Sequence, residues 1–346
     1  MKSKRFFIAV LAGVLLCFGV LTALLSAEDP FFVLGGIEEG ETALFDNQRY
    51  QMAGLIRHQD YQAVVMGTSL AANYRASWFT EGLGESTLKI TFPDGWISEF
   101  DTALDLAFRT HPQLNTVFFC LDPNILIRSD RNRTVELPLY LYNSNPLDDV
   151  EYLLNADTYQ LALHTWLERK ENKTVPLDDA YLWEGSHGFS KAWALVSYPR
   201  PEVNPNPLPE DAFLEAAEEN LTVLLGWAQE HPDVQFNIWF PPYSVLYWDK
   251  VTREGTRDAV LAAVEYAAGR LMECENIAVY SYLYTPGIVD QLYYYADHIH
   301  CSANVTQWVT NRLLAQEGRL TPENLSGEMD ALRAFALDYD YESIFD

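Results

Sequence analysis

From about residue 60 onward, short apolar runs alternate with longer amphipathic stretches. Five runs, at 62–66, 87–90, 116–121, 234–240 and 277–281, are rich in β-branched and aromatic residues and bounded by polar or turn residues. Each predicts a strand. Between them apolar positions recur at helical spacing. Residues 96–109 place Trp96, Phe100, Leu104, Ala107 and Phe108 on one stripe, and 211–230 and 253–272 show a similar spacing with good helix formers. A further helix is predicted over 41–58. Strands alternating with helices imply a parallel sheet covered on both faces, with ligands gathering at the carboxyl ends of its strands.

Two regions depart from this rhythm. Residues 122–209 show no core strand, several Tyr and Trp, and the proline-rich "YPRPEVNPNPLPED". They read as an insertion between the third and fourth strands, helical around 147–168, serving either as a roof over the strand ends or as decoration. At the N-terminus, Lys2, Lys4 and Arg5 precede the 22 uncharged residues 6–27. As a helix these span about 33 Å, one hydrocarbon core. A cleavable signal has a shorter apolar region and a small-x-small site, for which Leu25-Ser26-Ala27 is a poor match. Leu16 before Cys17 argues against lipoprotein processing. The expectation is a retained anchor at 6–27, with residues 1–5 cytoplasmic and the chain after about Glu28 outside the cell membrane.

Composition changes this picture in one respect. At 346 residues and 49% apolar the chain has material for a sizeable core. Setting aside Lys2, Lys4 and Arg5 leaves 20 Lys and Arg against 49 Asp and Glu, a net charge near −29. Such a surface repels nucleic acid and anionic headgroups, so neither is an expected partner. Residues 321–346 add seven acids against Arg333 alone and read as a surface helix with a loose tail. Outside the anchor, Cys120, Cys274 and Cys301 make an odd number, and neither a CxxC motif nor a His/Cys cluster with metal-ligand spacing occurs. No cofactor is expected.

The candidate chemistry begins in "AVVMGTSLAANYRAS", where the first strand runs into Gly67-Thr68-Ser69. A serine at a strand end is either a turn and helix cap or a presented nucleophile. Far downstream, Asp297-His298-Ile299-His300 follows the last strand, and a helix begins near Ser302. An Asp three residues before a His can fold back, accept the imidazole Nδ1–H and so leave Nε2 toward a nucleophile. Asp297 or Ser302 is alternatively only a helix cap. His298 is a rival to His300, with the wrong spacing from Asp297. Because Ser69 follows the first strand and His300 the last, both fall on one rim of one sheet.

In that order and placement the chain resembles the SGNH (GDSL-like) hydrolase superfamily, whose first block carries a nucleophilic serine and whose last is Asp-x-x-His. The resemblance covers about residues 60–315, without the insertion. It implies a flavodoxin-like three-layer sandwich with a five-stranded parallel sheet. Residue by residue it makes Ser69 the nucleophile and an oxyanion donor, His300 the base and Asp297 its orienter. It makes Gly95 of "FPDGWISEF" a second oxyanion donor. The third block departs: Gly-x-Asn-Asp is here Cys120-Leu121-Asp122-Pro123-Asn124. Asp122 stands where the family has its asparagine donor, and an ionised carboxylate only accepts. Asn124 then substitutes if the Pro123 turn brings it round.

The first block, Gly67-Thr68-Ser69, looks closer to a membrane-anchored branch that includes the teichoic-acid D-alanine transfer protein and polysaccharide O-acetylation proteins. That resemblance implies an extracytoplasmic domain over 41–320, insertion included. It also implies acyl esters of cell-wall or exported glycans as substrates, and a membrane-bound acyl-transfer partner. Tyr243 and Trp248, in "WFPPYSVLYW" after the fourth strand, either line an acyl or sugar pocket or pack the sheet edge. Three functions follow: an esterase working through an acyl-enzyme, an acyltransferase with the same site, or a catalytically weak glycan-binding or scaffold domain.

Overall fold

The computed structural model describes residues 2–35, 41–42, 48–133, 136–145, 147–182 and 188–345. The chain forms two compact units, one from Met1–Gln59 with Glu136–Ala180, the other from Asp60–Val135 with Tyr181–Asp346.

The second unit is built on five strands: β1 (Ala63–Gly67), β2 (Thr87–Thr91), β3 (Thr116–Cys120), β4 (Gln235–Phe240) and β5 (Ile277–Ser281). All pairings are parallel, in the order β2-β1-β3-β4-β5, the flavodoxin-like winding. Each strand lies within a residue or two of its expected position. They are almost wholly buried, as a sheet covered on both faces requires; β1 reads as a continuous apolar run, whereas the edge strand β2 also buries Lys89, whose Nζ donates to the Ala72 carbonyl at 3.0 Å.

The chain steps from β1 outward to β2, then reverses to β3. Right-handed crossovers therefore send the first connection to one face and the next three to the other. Accordingly Ile97–Thr110, Leu214–Glu230 and Arg257–Leu271 pack side by side, whereas Ala76–Leu83 packs on Ala303–Leu314, the helix after β5. That last helix lies beside the first connection, so the chain after β5 crosses back over the sheet. Register aligns the carboxyl ends: Gly67 faces both Thr91 and Cys120, and Cys120 faces Trp239. The order reverses between β1 and β3, where ligands of such sheets bind.

In the first unit, Lys2–Glu28 is one helix, long and apolar enough from Ser3 to Glu28 to cross a membrane. The helix Ala156–Lys170 packs against it, with the Phe18 and Tyr159 rings 6.5 Å apart and Arg169 3.5 Å from Glu28. Asp29 then turns the chain. Its carboxylate accepts from the Val33 and Leu34 N–H groups at 3.0 and 2.8 Å and from the Tyr152 hydroxyl at 2.7 Å.

Four expectations change. The helix expected over 41–58 is Gln48–His58; Glu41–Thr42 is extended and pairs with Val175–Pro176, and 43–47 lie outside the described residues. The helix expected over 147–168 is two, a single turn at Val150–Leu153 and Ala156–Lys170, the second begun where the Asn155 side chain accepts from the Asp157 N–H. The stretch 122–209 divides between the units, Glu136–Ala180 belonging to the first and the residues on either side of it to the second. Finally, residues after the helix Leu325–Asp338 are pinned. Arg200 bridges Asp249 and Glu342 through paired hydrogen bonds and lies 4.2 Å from the Phe345 ring centroid.

Candidate active site

Gly67 ends β1 in a place too tight for a side chain. A Cβ there would meet the Cβ atoms of Cys120 and Ala71 at 2.8 and 2.9 Å. Thr68 then caps the four-residue helix Ser69–Ala72: its Oγ1 accepts from the Leu70 N–H at 3.4 Å and donates to Asp122 Oδ2 at 3.2 Å. Thr68 and Leu70 are buried, and Ser69 between them is partly open to solvent. The turn thus holds a hydroxyl outward between buried neighbours.

The partner of that hydroxyl arrives on the returning chain. Tyr295 and Cys301 form an antiparallel bridge, closed further by Ala296 N–H donating to the His300 carbonyl at 2.9 Å and Ser302 N–H to that of Tyr294 at 2.8 Å. At the tip, Asp297 Oδ1 accepts the N–H groups of Ile299 and His300, both at 2.8 Å, and Oδ2 lies 2.7 Å from His300 Nδ1. His300 Nε2 is 2.8 Å from Ser69 Oγ. Two side-chain bonds hold the two segments together. Asn73, just after the serine's helix, donates through Nδ2 to the Cys301 carbonyl at 2.9 Å, and Thr306 Oγ1 donates to the Asn73 carbonyl at 2.9 Å. No sequence signal marks Asn73 for this; only its partner, 228 residues away, does.

Burial alone would raise the Asp297 pKa. The His300 hydrogen bond and charge, with the two backbone N–H groups, outweigh it and hold the carboxyl at about 2. The group therefore stays ionised across the physiological range and fixes the ring with Nδ1–H toward it. His298 is held differently. Its carbonyl accepts from the Ser244 N–H and hydroxyl at 3.3 and 2.9 Å, its ring centroid is 6.1 Å from that of Tyr198, and burial lowers its pKa.

The residues expected to serve the oxyanion and the substrate are placed less simply. The Gly95 N–H donates to the Phe92 carbonyl at 2.9 Å, which closes a turn, and a Cβ at Gly95 would meet the Phe100 ring at 2.8 Å. The glycine is thus needed for close packing, and its N–H is committed to that turn rather than offered to an oxyanion. Tyr243 and Trp248 are fully buried, so neither presents a ring face to a sugar or acyl chain. The expectation that they line a pocket is corrected on that ground: both pack around Tyr247, at ring separations of 4.2 and 5.3 Å. The Tyr243 hydroxyl instead donates to Asp122.

Asp122 is buried at the end of β3. It accepts from Thr68 Oγ1, the Tyr243 hydroxyl and the Asn124 N–H, the last at 2.7 Å. Burial raises its pKa and these donors oppose the rise. Asn124, partly open, sends Nδ2 to the Tyr243 oxygen at 3.1 Å. A separate cavity of about 210 Å³ opens between residues 290–293 and the C-terminal Tyr339, Ser343 and Ile344; neither Ser69 nor His300 lines it. Among the described residues no cluster of His, Cys, Asp and Glu is arranged to hold a metal, and the four cysteines are unpaired.

No family model and no curated protein matches this chain. Among solved structures, one described as that of a platelet activating factor from Streptococcus pneumonia is similar at a TM-score of 0.41 and 9% sequence identity, covering 78% of this chain and 91% of that chain.

Proposed function

We propose that the protein is a membrane-anchored, extracytoplasmic serine esterase of the SGNH type, acting through an acyl-enzyme on acyl esters of cell-wall or exported polysaccharide. The observation that carries the reading is the continuous chain Ser69 Oγ, His300 Nε2, His300 Nδ1, Asp297 Oδ2, with both contacts under 3 Å. It supports the activation of a hydroxyl by an imidazole whose other nitrogen is held by a carboxylate. The basic residues before the apolar helix support an anchor with its short end in the cytoplasm.

In the proposed reaction Ser69 Oγ attacks the ester carbonyl carbon while its proton passes to His300 Nε2. The tetrahedral oxyanion collapses, the bond to the alcohol oxygen breaks, and His300 returns the proton to the departing alcohol. Water then attacks the acyl-enzyme, giving its proton to His300, and the carboxylic acid leaves as Ser69 regains its hydrogen. Transfer to a sugar hydroxyl uses the same site with an alcohol in place of water in the second half.

The test is release of acetate from acetylated model esters by the full chain in detergent, with and without an oligosaccharide acceptor. Hydrolysis predicts acetate release that an acceptor leaves unchanged. Diversion of the acyl group onto the acceptor would assign a transferase, and no turnover of any ester would overturn the enzyme reading.

A further inference from the structure

Tyr243 and Asp122, though buried, face the half-exposed Asn124 through a hydrogen-bond chain whose direction is fixed by chemistry. A tyrosine hydroxyl has one proton, and here it goes to the Asp122 carboxylate. The atom of Asn124 that faces the same oxygen at 3.1 Å then donates, as Nδ2 does here. Asp122 in its turn takes the Asn124 backbone N–H on Oδ1 at 2.7 Å and Thr68 Oγ1 on Oδ2 at 3.2 Å. One buried carboxylate therefore ties the cap of the nucleophile's helix, the backbone of Asn124 and, through Tyr243, its carboxamide.

We propose that Tyr243 and Asp122 are positioning residues that hold the Asn124 carboxamide as the oxyanion donor, replacing the side chain that Asp122 itself is unable to supply. The inference rests on the esterase reading above. One amide hydrogen is engaged by Tyr243, which leaves the second for another acceptor, and Asn124 follows closely on Cys120, the β3 end that pairs directly with Gly67 before Ser69. A donor that is fixed before the reaction needs no reorganisation as charge develops, and that is the source of its catalytic effect. The committed N–H of Gly95 leaves room for such a donor.

The experiment is a double-mutant cycle on the full chain with a soluble ester. Asn124→Ala is expected to lower kcat by about 10²–10³, the usual effect of losing one oxyanion donor, with KM within about twofold. Tyr243→Phe removes only a hydroxyl and is expected to lower kcat by about 5- to 50-fold, because the donor is loosened rather than lost. In the Asn124→Ala background, Tyr243→Phe is expected to have less than about a twofold further effect, the signature of two groups acting as one. Full activity of Asn124→Ala overturns the proposal, and so does an equal loss from Tyr243→Phe in both backgrounds, which marks a merely structural hydroxyl. If Tyr243→Phe fails to fold, Asn124→Ala decides alone. Wild-type turnover with these outcomes refutes only the positioning role, whereas a wild-type chain without turnover or labelling by a fluorophosphonate removes the esterase reading as well.

Discussion

Replacing His300 by alanine is expected to reduce ester turnover by about 10⁴–10⁶, and replacing Ser69 by alanine to do the same. Without the ring, Ser69 loses the imidazole nitrogen that stands 2.8 Å from its Oγ, and a serine hydroxyl without such a base is a poor nucleophile at neutral pH. The two losses should not multiply. Once either member is gone the other has nothing to act on, so the double variant should fall no further than the worse single one. Steady-state kinetics on the three variants, with thermal unfolding as a control for folding, gives the comparison. Multiplying losses would mean that the two side chains do not work as a pair.

Asp297→Asn is expected to lower kcat by about 10⁴ with little change in KM. The carboxylate makes three contacts, all at 2.7–2.8 Å: the ring Nδ1 and two backbone N–H groups. An asparagine can keep the backbone bonds through its oxygen, but its NH₂ then faces Nδ1 and favours the tautomer with the proton on Nε2. That ring is unable to accept from Ser69. A second readout follows from the carboxyl pKa of about 2, which lies below the ordinary value of 3.8. A depressed carboxylate stabilises the folded chain above its unfolded pKa, and that contribution disappears as pH falls through its folded one. Wild-type stability should therefore drop between about pH 4 and pH 2 more steeply than that of Asp297→Asn. Parallel curves in denaturant titrations would contradict the assignment of the ion pair.

How much of this was legible in the sequence depends on how local each signal is. The five sheet strands were, because each is a short run rich in β-branched or aromatic residues, as in Ala63–Gly67, ended by residues that turn the chain. The helix Val245–Glu254 was not. Its first five residues, Val245 through Asp249, are all buried and run on from the apolar strand before them, and Gly255 at φ 71° separates it from the helix that follows. Nor was the fixed C-terminus legible, since Glu342 is held by Arg200 from 142 residues away.

The same distinction runs through the candidate site. Ser69 was visible as a hydroxyl at a strand end, and Asp297 with His300 as a three-residue spacing. In the sequence Tyr243 is an aromatic ring that either lines a pocket or packs the sheet edge; its hydroxyl engages Asp122 and Asn124, 121 and 119 residues earlier, which no local pattern announces. Gly95 was noticed as a glycine with a usable N–H; the turn that takes up that N–H, and the Phe100 ring that forbids a side chain, exist only in three dimensions.

Ser69 is expected to form a covalent bond to its substrate. Incubating the full chain in detergent with a fluorophosphonate, then digesting it and sequencing the modified peptide by mass spectrometry, tests this directly. The expected result is one adduct, on Ser69, absent from Ser69→Ala and strongly reduced in His300→Ala. An unmodified wild-type chain, or an adduct on another residue that persists in Ser69→Ala, would contradict it.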